Sequence, residues 1–442
     1  MQEENEQKNF LKKVIENESF AGVLLLLCAV LAMIVANSPL SEGYAALWKS
    51  KVGFDVNGMF IGLSLEHWIN DVLMAFFFLV VGLEIKREVM FGELASFKRA
   101  ALPVIAALGG MIGPGIIYYA LNMGTQSVTG FGIPMATDIA FALGVLSVLG
   151  KRVPISVKVF LVSLAVADDL GAIIVIALFY STGISFMWLG IAVGIVVLLF
   201  ILNKMGVKSL LPYMILGVAL WFAVHSCGVH ATIAAVALAF TIPVTPKIDS
   251  NSFMENAKKM IEKFQKSQKE SGGILLEGEQ MHTLKHLARF KKDVQNPLLR
   301  LEHMLAPYSN YLIMPIFAFA NAGVTIGSNI DFNVDHVFLG ILLGLVIGKP
   351  LGIFTFTFIA EKIGIASRPN GAGWVDILGA GMLGGIGFTM SIFVTNLAFT
   401  SGDHAMIATD VAKISILISS LCAGILGSIF FILKSQFSHK QN

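Results

Sequence analysis

Apolar and polar positions alternate along this chain in long blocks rather than in short stripes. Runs of spanning length, about 17–25 residues, occupy 18–38, 68–88, 101–122, 131–150, 156–181, 184–204, 209–226, 229–245, 305–325, 336–360, 374–399 and 404–433. Most are apolar on every side, as expected of helices facing lipid or other helices. The pattern therefore predicts an all-α polytopic membrane protein of about twelve transmembrane helices. One block departs from it. From Pro246 to Asn296 the chain is polar, and "SFMENAKKMIEKFQKSQKES" and "EQMHTLKHLARFKKDVQ" carry helical periodicity. We read 246–296 as a loop insertion of one or two amphipathic helices within a single transporter domain spanning 1–442. Between the first two runs, "FDVNGMFIGLSLEHWI" sets Asn57-Gly58 between short apolar stretches, which predicts a small β-hairpin.

The polar connections assign direction. One set carries Lys86, Arg87, Lys98 and Arg99, then Lys151, Arg152 and Lys158, then Lys204 and Lys208. It continues with the insertion, Lys362, Arg368, Lys434 and Lys440. The connections 122–131, 181–187, 225–229, 325–336 and 400–409 have neither Lys nor Arg; 40–66, with Lys49 and Lys51, breaks the rule. Basic loops stay in the cytoplasm, so both termini are expected inside a cytoplasmic membrane and the hairpin outside. There the ribbon near residues 54–66 could pair with a second copy of the chain. The polar, mixed-charge start "MQEENEQKNFLKKVIENESF" does not resemble a cleaved signal, so the first apolar run is expected to direct its own insertion.

Composition agrees. Of 442 residues, 56% are hydrophobic and 14% charged, against about 25% charged in soluble domains. The net charge of +2 comes without a basic tract for nucleic acid, and no P-loop lysine motif for a nucleotide occurs. Cys28, Cys227 and Cys422 lie too far apart for a metal or disulfide spacing.

The chemistry resides in a few ionisable residues inside apolar runs: Asp71, Asp138, Asp168, Asp169, His230 and Lys349, with Glu84 and Glu302 nearer the cytoplasmic ends. An aspartate at mid-helix costs about 2.5–3.5 kcal/mol on insertion scales, and "FLVSLAVADDLGAIIVIALFY" carries two in a row. Each of these groups could simply be a satisfied polar contact between helices. For the adjacent pair a functional site is the stronger reading. Successive helical residues point about 100° apart, so one aspartate could face a cavity while the other meets a neighbouring helix. Such oxygens suit a hard cation. In "FGIPMATDIAFALGV", Pro134 breaks the helix four residues before Asp138, offering carbonyls, the Thr137 hydroxyl and a carboxylate together. In "LGAGMLGGIGFTMSIF", Gly384, Gly385 and Gly387 loosen the middle in the same way. Paired interrupted spans mark a transporter site at the midplane. "GIPMAT" and "GIGFTM" are loosely alike, as an inverted repeat would make them. Lys349, followed by Pro350, wants an aspartate as partner; His230 lies near the outer end of its run.

Together, "GIPMATDIAFALGVLSVLGKRVP", "LVSLAVADDLGAIIVIALFY", "GVHATIAA", "IFAFANAGV", "IGKPLGI" and "GGIGFTMSIF" resemble the NhaA sodium/proton antiporters of bacterial inner membranes, in order from about 18 to 432. The resemblance implies two discontinuous helices crossing near an ion site, exchange of external protons for internal Na+ or Li+, control by pH, and a homodimer joined through the outer hairpin. It implies that Asp168 and Asp169 bind the cation and protons. Asp138 and Lys349 would then compensate charge where the broken helices meet, with Lys349 also paired to Asp168 and Thr137 lining the site. Glu84, Arg87, Glu302 and His303 fall at the pH-responsive cluster, and His230 at a histidine that affects the same response.

The leading reading is a secondary antiporter without cofactors, its cargo Na+, Li+ and H+. A carboxyl in an apolar site keeps its proton into the physiological range, so protons and sodium compete for the same oxygens. An intramembrane aspartyl protease using Asp138 and Asp168 is the alternative from another class; it leaves the Asp168-Asp169 adjacency and Lys349 without a task. A passive cation channel is the other alternative.

Overall fold

Each apolar block becomes a helix or a bent pair of helices, and the two breaks fall where Pro134 and the Gly384–Gly387 cluster place them. The computed structural model describes residues 18–56, 59–181, 183–270, 278–325, 336–369, 371–400 and 403–439. The polar N-terminal stretch, the Asn57-Gly58 turn, most of the 325–336 connection and 271–277 of the insertion lie outside the described residues.

The first block is α1 (Glu18–Ala36), which turns by 113° into a short amphipathic helix, α2 (Ser41–Lys49). The sequence pattern had not separated α2 from the hairpin. Strands β1 (Lys51–Val56) and β2 (Met59–Ser64) then pair antiparallel, from Lys51 opposite Ser64 to Val56 opposite Met59. Trp68 Nε1 donates to the Val52 carbonyl at 3.1 Å and ties the ribbon to the helix that follows.

That helix is α3 (Leu65–Phe91), followed by α4 (Phe97–Asn122). The first bent pair is α5 (Gln126–Met135), tightly wound as a 3₁₀ helix, and α6 (Ile139–Leu149), with 41° between them. Next come α7 (Ile155–Phe179), α8 (Phe186–Lys204), α9 (Leu210–Cys227) and α10 (Thr232–Thr241). The insertion is α11 (Ser250–Glu270) and α12 (Gly278–Val294). The chain then re-enters the apolar body as α13 (297–321) and α14 (His336–Ile363). A second bent pair, α15 (Trp374–Gly384) and α16 (Phe388–Ala398), turns by 51°, and α17 (Asp403–His439) closes the chain. Among the described residues, seven helices are long and apolar enough to cross a membrane, or ten if the turned α1–α2 and the two bent pairs are each counted as one span. The ten-residue α10 and the charged-ended α13 complete the twelve, and the chain is a multi-pass membrane protein.

Two groups of helices form the body. One is α3, α8, α9, α10 and α13; the other is α4 to α7 with α14 to α17, and α1 packs on α6 and α13. Within the second group, α4 and α14 approach with backbone almost touching. A Cβ on Gly109 would lie 2.3 Å from the Gly352 carbonyl, and one on Gly352 would lie 2.1 Å from the Gly109 carbonyl. This small-residue seam holds α14 deep enough for Lys349 to reach the break in the first bent pair. The end of the short α10 is held by side chains from its neighbours. Lys86 of α3 donates to the carbonyls of Phe240 and Ile242, and Asn203 of α8 donates to that of Thr241 at 2.6 Å. Lys86 is therefore buried as a cap on carbonyls that no helical N–H can reach.

The insertion leaves and rejoins the body at one point. Lys247 and Ile248 N–H both donate to the Asp293 carbonyl, at 2.9 and 3.2 Å, and Lys247 Nζ lies 3.1 Å from Asp293 Oδ1. Deleting 250–292 with a short Gly-Ser joint is thus expected to leave the spans folded and exchange present. Ion flux in liposomes checks this; loss of flux from a monodisperse, thermally stable deletion protein would show that the insertion takes part in the exchange itself.

Candidate ion site at the crossing of two broken helices

Breaking a helix inside an apolar body exposes four ends: the C-termini of α5 and α15 and the N-termini of α6 and α16. All four meet here. The Asp138 N–H donates to the Ile386 carbonyl at 2.7 Å, joining the two breaks directly. The Ser391 hydroxyl donates to the Ile133 carbonyl at 2.8 Å.

Asp138 is the N-cap of α6, where Oδ1 accepts from Phe141 N–H at 3.0 Å. Its Oδ2 accepts from the N–H of Thr389 at 3.1 Å and from the Thr389 hydroxyl. Thr389 stands in the first turn of α16. One carboxylate therefore faces two helix N-termini, each carrying roughly half a positive charge. Lys349 serves the opposite end, its ammonium donating to the Met135 carbonyl at the C-terminus of α5. The same ammonium donates to Asp168 Oδ2 at 2.8 Å, and the Thr137 hydroxyl donates to that oxygen as well. Thr137 also lies 3.3 Å from the Gly384 carbonyl, where α15 ends.

Both aspartates of α7 are buried, with 2% and 3% of their surface exposed. They differ in their partners. Asp168 Oδ2 is fully engaged, whereas its Oδ1 is sealed from solvent without a hydrogen bond from any described residue. Among the described residues nothing hydrogen-bonds to Asp169, although Asp168, Glu84, Asp138 and Lys349 are within charge-interaction reach of it. A buried polar atom without a partner is costly, so these oxygens are poised for something that arrives: a proton, or a cation of oxygen-seeking type.

Around this centre, the other expected residues separate into two places. Arg87 of α3 donates to Glu302 of α13 and lies 3.3 Å from Glu88; Glu302 is buried, with its Oε2 unpartnered. Glu84, one turn further in, feels Glu302, Arg87 and Glu88 as well as Asp169. His303 is exposed beside Glu302. These four residues form one cluster on the side of the basic loops. His230 is on the hairpin side, where its Nε2 lies 3.0 Å from the Tyr180 carbonyl. Asp71, expected deep from its run, instead lines a cavity on that side with 27% of its side chain exposed, 4.0 Å from His225 Nδ1. The run begins within a widened π-type turn, Trp68–Leu73, which blurs where the span starts. Thr389 escaped the sequence reading; its place after the Gly384–Gly387 break was the available signal.

A crossed pair of broken helices holding buried carboxylates with unpartnered oxygens defines a secondary ion transporter. The model of the Na+/H+ antiporter 1 family matches residues 12–431. The chain is 61% identical over 434 residues to the Na(+)/H(+) antiporter NhaA of Wolinella succinogenes, covering 98% of this chain and 95% of that protein. It is 58% identical over 439 residues to the Na(+)/H(+) antiporter NhaA of Helicobacter pylori strain J99, covering 99% of each. The solved sodium proton antiporter MjNhaP1 of Methanocaldococcus jannaschii has a TM-score of 0.47 and 13% identity, over 97% of this chain and 96% of that one. The chain belongs to the Na+/H+ antiporter 1 family, a family of transporters and not of enzymes.

Proposed function

We propose that Asp168 and Asp169 hold either one Na+ or Li+ ion or two protons, and that alternating exposure of this pair exports sodium against proton entry. The observation that carries the reading is the sealed Oδ1 of Asp168, unpartnered among the described residues, beside an Asp169 to which none of them hydrogen-bonds. The ion needs oxygens and finds them there; the proton needs the same lone pairs, so each displaces the other. Asp138 balances the two N-termini and Lys349 the C-terminus of α5, and both stay out of the count of transported charge. Thr137 positions Asp168 through its hydroxyl. The Arg87–Glu302 pair with Glu84 and His303 is the cytoplasmic element through which pH governs the cycle. On the hairpin side His230 contributes to the same response.

The basic loops support a cytoplasmic location for both termini in the inner membrane of a bacterium. Among the described residues the ribbon has two strands only, which leaves an edge on each strand and supports a homodimer joined by strand pairing. An aspartyl protease would need Asp138 free to activate water, and both its oxygens are committed to helix ends. The test is purified protein in liposomes with an internal pH reporter. Sodium or lithium is expected to drive proton movement and choline is not; a flat trace with all three ions would overturn the reading.

Two protons for one sodium make the cycle electrogenic. An interior-negative potential, worth about 2.3 kcal/mol per charge per 100 mV, then drives proton entry and sodium export. On a solid-supported membrane with a sodium gradient and no pH gradient, a transport current is expected. Exchange confirmed in parallel without current would refute the two-proton site.

A further inference from the structure

Two layers of side chains adjoin the hairpin-side cavity, and the same three helices build both. The cavity holds about 730 Å³, and Asn70, Phe393 and Asn396 are part of its lining. In the first layer, Asn396 of α16 donates from Nδ2 to Asn321 Oδ1 of α13 at 2.7 Å. Asn321 donates in turn to Asn70 Oδ1 of α3 at 3.0 Å and to the Phe317 carbonyl at 3.0 Å. In the second layer the Phe393 ring of α16 lies 5.3 Å from Phe78 of α3 and 6.3 Å from Phe317 of α13, centre to centre. All three rings are buried. Each helix thus contributes one asparagine and one phenylalanine. Along each helix the phenylalanine lies about one to two turns from the asparagine, and Phe393 itself reaches the cavity lining.

The division of the body into two groups gives this stack a direction. Helices α3 and α13 belong to one group, while α16 packs on α5 and α17 in the other. The Asn70–Asn321 bond therefore lies within a group. Asn321–Asn396 and the contacts of Phe393 with Phe78 and Phe317 cross between groups. We propose that this stack is the outer gate of the exchange cycle, opened by α16 withdrawing from α3 and α13. The proposal rests on the exchange reading above and adds the element that closes the site to the outside. The materials suit the task. An amide pair gives up its bond for bonds to water at little net cost, so it opens readily into a wet cavity. A ring cluster offers a hydrated ion no ligand, so it blocks leakage while closed.

The test uses Asn321→Cys with Asn396→Cys, after replacement of Cys28, Cys227 and Cys422 by alanine, in liposomes. Before bridging, sodium-driven proton movement is expected; bridging with a bifunctional thiol reagent should slow it about tenfold or more, and reductant should restore it. Bridged protein, verified on a gel, that exchanges at the unbridged rate would overturn the gate. If the unaltered chain itself moves no protons with sodium, the exchange reading fails instead. Should the double variant not exchange before bridging, Phe393→Cys decides. An impermeant thiol reagent added outside should label position 393 several-fold faster during sodium turnover than at rest, and equal rates would overturn the proposal.

Discussion

Sodium-dependent proton movement is expected to fall to the background of protein-free liposomes in Asp168→Asn and equally in Asp169→Asn. The amide keeps the size of the carboxylate and loses both its charge and its proton, so neither cargo can be held. What separates the two variants is stability. Asp168 is paired with Lys349 at 2.8 Å, both side chains almost fully buried. Its amide strands an ammonium in an apolar interior, and removing one partner of a buried pair costs about 3–5 kcal/mol. Asp169 has no hydrogen bond to lose among the described residues, and three acids, Asp168, Glu84 and Asp138, outweigh the one cation, Lys349, within charge reach of it. Asp169→Asn should therefore melt at or above the temperature of the unaltered protein, while Asp168→Asn melts below it. Thermal unfolding in detergent, followed beside flux in liposomes, checks both halves. Appreciable exchange by either variant would remove the central claim. A destabilised Asp169→Asn would mean that this carboxylate is a structural contact and not a vacant ligand.

The large features were legible because each leaves a local mark. Lipid demands long apolar blocks, and a helix broken in lipid needs a proline or clustered glycines, which Pro134 and Gly384–Gly387 supply. The Asp168-Asp169 pair was visible because its cost inside a membrane is so high. Partners across the fold were legible only where the family resemblance supplied them, as for Lys349 and Asp168. Nothing near Asp138 tells that its second oxygen will serve Thr389, 251 residues on. Lys86 looks like one more basic loop residue until the short α10 presents carbonyls to it. The asparagines of the outer stack, Asn70, Asn321 and Asn396, sit on three helices far apart in sequence, and a lone asparagine in an apolar run is a weak signal. The widened turns at Ser309–Ile313 and Gly344–Gly348 add a residue to a turn without altering the apolar pattern, so no periodicity reveals them.

Lys349→Ala is expected to cost about 3–5 kcal/mol of stability, the range for breaking a buried ion pair by removing one partner. Two groups lose their donor at once: Asp168 Oδ2, which retains the Thr137 hydroxyl, and the Met135 carbonyl at the end of α5. The lysine is 1% exposed and the aspartate 2%, so water cannot replace the ammonium without entering the site. Adding Asp168→Asn to Lys349→Ala removes the uncompensated charge, and part of the stability should return; coupling of about 0.5–3 kcal/mol is usual for residues in contact. Exchange behaves differently. Lys349→Ala keeps both aspartates and so keeps exchange, with the activity profile moved toward alkaline pH. Without the ammonium the site is more negative, protons are held more tightly, and sodium displaces them only when protons are scarcer outside the site. The double variant should be the more stable protein and the inactive one. If Lys349→Ala melted and titrated like the unaltered chain, Lys349 would not be the partner of Asp168 in the working protein. If the double variant exchanged, Asp168 would not carry the cargo.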